Sequence, residues 1–569
     1  MMTRRPKITT RLPGGQSSGG YSSLRLAPPY VFSYPPSFNR FAKSLLLVLC
    51  WLANPALTNS TAAATSINDN PAAAGPPTTL TTPPRTEFTA SRIVAYATPP
   101  QASPQTFLQG LGQHELIDDN QQWQGAATHV VHLGNLFEEG SAAVSHLDTL
   151  IRLQAQARAA GGGIHVLLGS PQLRERIEGW DAPVISRTDN ITPDSLHGRW
   201  LLSLPAIIKI NRTLFTYGGL SPLVRQLGIE DTNANTQRAL RSAMTGDPTG
   251  PLIPPHRELL KSSGALWYRG TAACHSLLET PTLAQALAAL DADRVVITNP
   301  ALPASQISRR LGDRVVVIGS GARQSSAEAV ALELRGTNAS VLRANLPTQN
   351  IAWAHPLLLA PPSAEMLLAP AIAAARLTPQ DGSTQNDRVS VTVADGKTYQ
   401  GRFVQATRRE VNNALAAMRL DRWLGLHMVP VTVKHKLGRR RGYAQFTPGG
   451  WLTEATRAQQ NLVRPSYCGN GHAYNLVSAF DALSGAQPRS SQSLAYDPLH
   501  WSVRITDSHK TFSTRTTLPN YPAKPVLSAL LGQRLRTLDA SQLAQITADL
   551  LTQEQRDALL ARLTLVLAW

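Results

Sequence analysis

Residues 128–172 constrain the fold of this 569-residue chain more than any other stretch. They read THVVHLGNLFEEGSAAVSHLDTLIRLQAQARAAGGGIHVLLGSPQ. A short apolar run ends in Gly134, an amphipathic run follows, and a second apolar run ends at Gly169. This order predicts a strand, a helix and a second strand. In such a βαβ unit the loops after the strands line the ligand crevice, so the residues after Leu133 and Leu168 are expected at the site.

Those two loops carry a family resemblance. They read GNLFEEG from Gly134 and GSPQ from Gly169. The stretch resembles the calcineurin-like metallophosphoesterases, most closely their bacterial Shewanella-like phosphatase branch, which has GDxxDRG and GNHE at these places. The resemblance implies an α/β fold, a four-layer α/β/β/α metallophosphoesterase sandwich. In that family the active site holds two divalent metals, such as Mn, Fe or Zn.

The metal-binding positions of that family hold other residues here. The resemblance places the degenerate positions at Thr98, Pro100, Asn135, Ser170, Pro171, Tyr217 and Asn299. None of them supplies the carboxylate or imidazole donors that a dinuclear centre requires. Without the imidazole that the family has at Pro171, no obvious general acid remains to protonate a leaving alkoxide. We therefore expect no catalytic residue and no cofactor, with Asn135 as a weak candidate ligand through its amide oxygen.

Residues 266–270 read LWYRG, a signature of the Shewanella-like branch in which the arginine helps to hold the substrate phosphate. Arg269 is retained. In one interpretation the loops have drifted to neutral fillers after activity was lost. In the other, the pocket is kept as an anion-binding or scaffolding site with Arg269 as its positive anchor. Arg269 can equally pack on Trp267 or bridge to an acid, so we prefer the first interpretation.

A divergent metal-dependent phosphoesterase that hydrolyses phosphate monoesters is the competing interpretation. Its unusual ligands would be His129, His132, Asn135, Glu138 and Glu139. The odd spacing from His129 to His132 places the two imidazoles on opposite faces of a strand. Carboxylates at a helix start are typical partners of the helix dipole. Asp118 and Asp119 lie in a predicted turn, where such side chains usually cap local amides.

The second half of the chain resembles a different fold. Its predicted elements follow the order of the small lobe of kinase-like folds, with a hairpin at 387–405, a helix at 408–424 and a strand at 427–434. The helix signature of those folds is matched by REV (409–411) and LDRWLGL (420–426). The resemblance is closest to secretory-pathway-kinase-like and lipid-kinase-like domains. It implies a degenerate α+β domain with Glu410 and Asp507 as remnants, because Val404 occupies the lysine position and the catalytic-loop Asp is missing. A single Asp after a strand is typical of a cap.

Composition divides the chain and suggests its compartment. Residues 1–58 are predicted as a disordered N-terminus with a signal-like segment from Ser44 to Pro55, whose apolar core spans about 44–54 and is too short to cross a bilayer. A Pro/Ala/Thr-rich tether (59–90), a metallophosphoesterase-like domain (91–345), a linker (346–380) and a kinase-like domain with a helical end (381–569) follow. We expect a periplasmic or secreted protein without a transmembrane span in the mature chain, membrane-tethered if the signal is uncleaved. Three cysteines allow at most one disulfide.

Charge adds a third alternative. The net charge is +17, yet the basic residues are scattered and the one dense run, KHKLGRRR at 434–441, is typical of a solvated hairpin. No nucleic-acid fingerprint accompanies it, which argues against that partner. The sequence as a whole predicts a secreted pseudophosphatase that acts in binding or regulation, with an unknown protein or a phosphorylated ligand as partner. A binder of acidic polymers or of a membrane surface rests on net charge alone.

Overall fold

The structure is a computed structural model. It describes residues 85–98, 104–134, 142–169, 192–245, 258–259, 261–303, 306–321, 330–343, 347–351, 364–379, 388–394, 396, 398–446, 452–462, 470–496, 502–520 and 526–569. The described residues belong to one compact unit. The predicted signal-like segment and most of the predicted tether lie outside the described residues. So do Pro100, Asn135, Glu138, Glu139, Ser170 and Pro171.

Twelve described strands build the first half. They are β1 (Glu87–Phe88), β2 (Ile93–Tyr96), β3 (His129–His132), β4 (Gly163–Val166), β5 (Ile207–Ile210), β6 (Thr213–Thr216), β7 (Arg294–Pro303), β8 (Ile307–Arg310), β9 (Val315–Gly321), β10 (Val330–Arg335), β11 (Asn338–Arg343) and β12 (Gln349–Ile351). One sheet has the order β1-β5-β6-β7-β9-β8 and the other β12-β11-β10-β2-β3-β4. Strands β2, β3 and β4 are parallel.

The helices of this half are α1 (Pro104–Gln113), α2 (Ala142–Ala159), α3 (Leu196–Ser203), α4 (Pro222–Thr245), α5 (Gly270–Ala273) and α6 (Ser276–Ala289). The predicted strand, helix and strand of residues 128–172 are confirmed as β3, α2 and β4. Side chains alternate across the strands. Val130 and Val94 therefore pack with Phe107 of α1, whereas Val131 packs with Phe215 of the other sheet.

The second half contains a five-stranded and a three-stranded sheet. The first is antiparallel, with the order β13-β14-β15-β17-β16, and the second has the order β18-β19-β20. Their strands are β13 (Leu377–Pro379), β14 (Arg388–Thr392), β15 (Thr398–Gln405), β16 (Val431–Leu437), β17 (Arg440–Phe446), β18 (Leu452–Thr453), β19 (Leu494–Tyr496) and β20 (Val503–Ile505). The helices are α7 (Ala364–Ala374), α8 (Arg408–Leu424), α9 (Glu454–Gln459), α10 (Asn470–Ser484), α11 (Ala529–Arg536), α12 (Ala540–Thr547) and α13 (Gln553–Leu567).

Local signals explain where several of these elements begin and end. The predicted hairpin is confirmed as β14 and β15, and the predicted helix as α8. Helix α8 starts in a capping box and stops at Gly425, whose φ of +69° suits glycine. Asp539 and Thr552 are the N-caps of α12 and α13.

The region predicted as a linker, residues 346–380, contains β12, α7 and β13 among its described residues. Strand β13 pairs with β14, and Ile372 of α7 is buried against Phe403 and Val433. In this part of the region, α7 is thus an apolar cover of a sheet. The division into two domains stays a prediction, and Leu277 of α6 lies in the main cluster of the second half.

Among the described helices, none combines the length and the apolar character needed to cross a membrane.

Candidate functional site

The site lies where strands of both sheets of the first half end. Thr98 follows β2, Gly134 follows β3 and Gly169 follows β4. From the other sheet, Tyr217 follows β6, and Asn299 lies on β7. These are the expected positions, because the residues after the parallel strands of an α/β sheet meet at one edge.

Thr98 contacts a buried histidine. Its Oγ1 lies 3.2 Å from His132 Nε2, and the Phe107 ring meets the imidazole edge-on at 4.7 Å between centroids. His132 is completely buried, and burial lowers its pKa to about 3. The imidazole is therefore neutral at ordinary pH. Thr98 takes part in a packed polar contact at the position where the resembled family has a metal-binding carboxylate.

Tyr217 fills the space between the strand ends. Gly134 has a φ of +88°, and a Cβ there would lie 2.9 Å from Gly169 Cα and 3.0 Å from Tyr217 Cδ2. A side chain at position 134 would therefore collide with backbone and with the tyrosine ring. Tyr217 itself is only 2% exposed. The close approach of these three residues explains why the first loop begins with glycine.

Arg269 stacks on that tyrosine. Its Cζ lies 4.6 Å from the centroid of the Tyr217 ring, a distance typical of a cation–π contact. Its Nη1 donates to the carbonyl of Tyr217 at 3.2 Å and to the carbonyl of Thr298 at 3.0 Å. The arginine thus joins β6 to β7. This arrangement matches the packing alternative that the sequence left open, with Tyr217 in place of Trp267.

Asn299 lies in a polar section of β7. It pairs with Gly319 of β9, at the start of a register shift that extends to Pro303. The preceding residue, Thr298, shares a hydrogen bond of 2.8 Å with Ser320 Oγ. Both hydroxyls are buried. The strand ends of this sheet are therefore lined by neutral hydroxyl and amide groups.

A buried cluster of hydrogen bonds lies beside Arg269 and involves the LWYRG motif (266–270). The hydroxyl of Tyr268 donates to both carboxylate oxygens of Glu279, at 2.8 and 3.0 Å. Burial raises the pKa of Glu279 to about 7. Arg310 donates to the carbonyl of Thr271 at 2.9 Å and to that of Cys274 at 2.6 Å. Sequence reasoning missed Glu279, although a single acid within the apolar run SLLETPTLAQALAA was a readable signal.

The residues at the family's metal positions do not fit a dinuclear centre. Thr98, Tyr217 and Asn299 offer a hydroxyl, a phenol and an amide, whereas such a centre needs carboxylates and imidazoles. Across the described ranges, no three His, Cys, Asp or Glu side chains come close enough together to hold a metal. Pro100, Asn135, Ser170 and Pro171 lie outside those ranges, so their predicted inability to bind a metal stays a prediction.

The histidines of β3 point to opposite sides, as their spacing predicted. His132 packs on Phe107 of α1. His129 lies 3.0 Å from Nε2 of His165 through its Nδ1 and meets Phe88 of the other sheet. This geometry separates two of the ligands that a divergent enzyme would need. The other three candidates, Asn135, Glu138 and Glu139, lie outside the described residues.

The adjacent carboxylates of the first turn have a local role. Asp118 Oδ1 accepts hydrogen bonds from the main-chain N–H groups of Asn120 at 3.0 Å and Gln122 at 2.8 Å. Its Oδ2 accepts from Gln124 Nε2. Asp119 is exposed. The prediction that this pair caps local amides is confirmed for Asp118.

The two residues predicted as kinase-like remnants have local partners in the second half. Glu410 accepts from the main chain and the hydroxyl of Thr407, both at 2.8 Å, and so closes the capping box of α8. Asp507 has a left-handed backbone with φ of +46° and makes no side-chain cap, in contrast to the cap that the sequence suggested. It pairs with Lys510 at 3.1 Å.

Part of the chain is similar in sequence to a known protein. No protein-family model matches the chain. Shewanella-like protein phosphatase 1 of Plasmodium berghei (strain Anka) is 23% identical over 234 residues, which cover 37% of this chain and 62% of that protein. The chain thus spans less than two thirds of the curated relative that it matches.

Solved structures give two further similarities. The cold-active protein-tyrosine phosphatase of a psychrophilic Shewanella species is 21% identical and covers 47% of this chain and 82% of its own, with a TM-score of 0.38. The Helicobacter pylori proinflammatory kinase CtkA is 11% identical and covers 35% of this chain and 94% of its own, with a TM-score of 0.23. Both TM-scores are below 0.5.

The sequence match agrees with the resemblance drawn from the loop motifs. It covers over a third of the chain at an identity of 23%, while the loops after the strands lack the residues of the resembled family. The chain is therefore homologous, over that part of its length, to a Shewanella-like protein phosphatase.

Proposed function

We propose that this protein is a pseudophosphatase, a phosphoesterase-fold chain that has lost its metal ligands and acts by binding or regulation. The observation that carries the proposal is the stack of Arg269 on Tyr217 at the strand ends, with Nη1 of the arginine donating to two main-chain carbonyls. A metal centre needs donors and space at this place. A packed aromatic ring offers neither.

The proposed architecture is the four-layer α/β/β/α sandwich. Three apolar clusters support it. One joins the β2–β3–β4 sheet to α1 and α2, one joins the two sheets to each other, and one joins the other sheet to α4 and α6. For the second half we propose a degenerate kinase-like domain, supported by the strand order β13-β14-β15-β17-β16 and by α8.

The role of Arg269 in this proposal is structural. A phosphate anchor must present its N–H groups to the ligand. In this chain Nη1 is engaged by the carbonyls of Tyr217 and Thr298, and the guanidinium plane is covered on one side by the tyrosine ring. The partner that the protein binds, an unknown protein or a phosphorylated ligand, belongs to the proposal, as does the periplasmic or secreted location.

The first test is metal content together with turnover. Protein purified without chelators is assayed by elemental analysis, and hydrolysis of a generic aryl phosphate is followed across added manganese. We expect no stoichiometric metal and no turnover above the buffer rate. Stoichiometric metal with turnover that Asn135→Ala abolishes would establish the divergent metal-dependent phosphoesterase instead.

A second test separates the two interpretations of the pocket. Inorganic phosphate is added to the wild type and to Arg269→Lys, and the melting temperature is measured with and without the anion. We expect no rise with phosphate in either protein, because Arg269 is used to join β6 and β7. A rise in the wild type that Arg269→Lys removes would mean that the pocket is an anion site.

A further inference from the structure

The hairpin of β16 and β17 carries exposed cations near its turn. On one face, Leu437 packs in the cluster under α7, and His435 Nε2 lies 2.8 Å from the carbonyl of Ala375. The other face is buried at Tyr443 and Gln445 but carries Lys434, Lys436 and Arg441 toward the turn, with Arg439 in the turn itself. All four cationic side chains are exposed. We call these four residues the cationic ribbon.

The ribbon holds like charges directly opposite each other. Lys436 pairs with Arg441 across the two strands, and Lys434 lies two residues further along the same face. Like charges at opposed positions destabilise a hairpin. In the described residues no carboxylate forms an ion pair with the ribbon. The hairpin therefore keeps a repulsion that an anionic ligand would relieve.

Nearby acids are occupied elsewhere. Residues 398–446 contain ten Lys and Arg residues but only two acids, Glu410 and Asp421. Glu410 closes the capping box of α8, and Asp421 is buried, paired with Arg422 and accepting from the N–H of Met428 at 2.9 Å. Asp507 acts electrostatically on Tyr443, the residue opposite Lys434, and it pairs with Lys510. None of these three carboxylates forms an ion pair with the ribbon, so within the described residues its charge is available to a partner.

We propose that the cationic ribbon binds a linear polyanion that carries phosphate or carboxylate groups. Side chains two residues apart along a strand are about 7 Å apart, and opposed side chains about 5 Å apart. The charges thus form a narrow row, which fits a chain of anions. Tyr443, the aromatic residue opposite Lys434, is buried and so offers no ring on which bases could stack. Leu437, the apolar residue next to the turn, is also buried and is not exposed to a bilayer. This surface is independent of the proposed function.

The test uses long-chain inorganic polyphosphate as the probe. Binding is measured for the full chain, for Lys436→Gln/Arg441→Gln, and for a control, Arg152→Gln/Arg158→Gln, which removes two exposed cations of α2. We expect the ribbon variant to bind roughly tenfold more weakly or worse and to reduce the slope of log Kd against log salt by about 1.4. The control should bind like the wild type.

A single substitution checks the physical argument separately. Lys436→Glu should weaken polyphosphate binding and at the same time raise the melting temperature, because it replaces a repulsive cross-strand pair by an attractive one. A variant that melts higher is folded, so its loss of binding cannot come from unfolding. The affinity for polyphosphate should therefore fall while the melting temperature rises.

Three outcomes would overturn the proposal. Unchanged polyphosphate binding in the ribbon variants would place the contact elsewhere. An equal loss in the control variant would mean that net charge, rather than the ribbon, attracts the polymer. Tighter binding to anionic lipid vesicles or to single-stranded oligothymidine than to polyphosphate would assign the surface to a membrane or to nucleic acid.

Discussion

Acid should weaken the junction between the two halves of the chain through His275. This residue is the N-cap of α6, and its Nδ1 accepts the N–H of Leu277 at 3.2 Å. Its Nε2 lies 2.6 Å from the carbonyl of Leu426 in the second half. A main-chain N–H can only donate and a carbonyl can only accept. The imidazole is therefore held neutral, with its proton on Nε2.

Protonation of His275 Nδ1 would break its hydrogen bond with the N–H of Leu277 and would place a new cation close to three arginines. Burial lowers the pKa of His275 to about 4, the hydrogen bond to Leu426 opposes this, and Arg310, Arg504 and Arg534 lower the pKa further. His427 is the neighbouring titratable group, and its pKa is also lowered to about 4, first by burial. The junction is thus arranged for neutral histidines.

The direction of the pH dependence follows from the protonation of His275 in the folded and unfolded states. Unfolded His275 takes up its proton near pH 6.5, whereas folded His275 does so near pH 4, so the unfolded state binds more protons between these values. The contribution of His275 to stability is fully present above pH 6.5 and is lost as the pH falls to 4. At about 1.4 kcal/mol for each pH unit, the loss is at most about 3 kcal/mol.

The assay is urea unfolding followed by tryptophan fluorescence, because Trp423 packs against the cluster that contains Leu277. His275→Gln keeps an amide donor for the carbonyl of Leu426 and does not titrate. Between pH 6.5 and pH 4 this variant should lose less stability than the wild type, by up to about 3 kcal/mol. His197→Gln removes a histidine that pairs with Asp148 in the first half and serves as the control.

An equal acid loss in His275→Gln and the wild type would refute the reasoning. It would mean that other buried histidines, such as His132 with its pKa of about 3, carry the pH dependence. A loss that His197→Gln removes as well would point to charge in general rather than to the junction.

Three further predictions concern buried groups. Burial raises the pKa of Glu279 to about 7, so this residue makes a contribution of up to about 3 kcal/mol that is lost as the pH rises from 4.5 to 7, opposite in sign to the contribution of His275. Compared with the wild type, Glu279→Gln should therefore gain more stability, or lose less, as the pH rises across this window in urea titrations. Arg562→Met should lower the free energy of unfolding by about 3 kcal/mol in the same assay, since Nε and Nη1 of this buried side chain donate to main-chain carbonyls. Cys274 is disulfide-bonded, so reduction should cost about 2–4 kcal/mol, and peptide mapping should recover Cys274 in a cross-linked peptide only without reductant.

Local signals predicted much of the fold. The βαβ unit, the β14–β15 hairpin and the bounds of α8 follow from periodicity and turn residues that lie close together in sequence. The packing of α7 did not follow from such signals, because burial of Ile372 depends on a sheet formed by later residues. Glu410 shows the reverse case. The motif from Thr407 to Glu410 is a readable capping box, yet the kinase-like resemblance gave Glu410 a different role.

The candidate site was also predictable only in part. The loss of the family's residues at Thr98, Tyr217 and Asn299 was visible in the sequence. What replaced them was not, because Arg269 and Tyr217 are 52 residues apart and meet only in the fold. His275 and Glu279, which hold the neighbouring helix, were missed for the same reason, since the partners of both are set by tertiary packing.

The stacking of Arg269 on Tyr217 also explains why a single substitution at position 217 should not restore metal chemistry. Tyr217→His would supply an imidazole, but it would remove the ring that supports Arg269 and packs against Gly134. The imidazole would therefore lack the packing that holds position 217 in place. Under the proposed function, restoring metal chemistry would require the loops and the stack to change together.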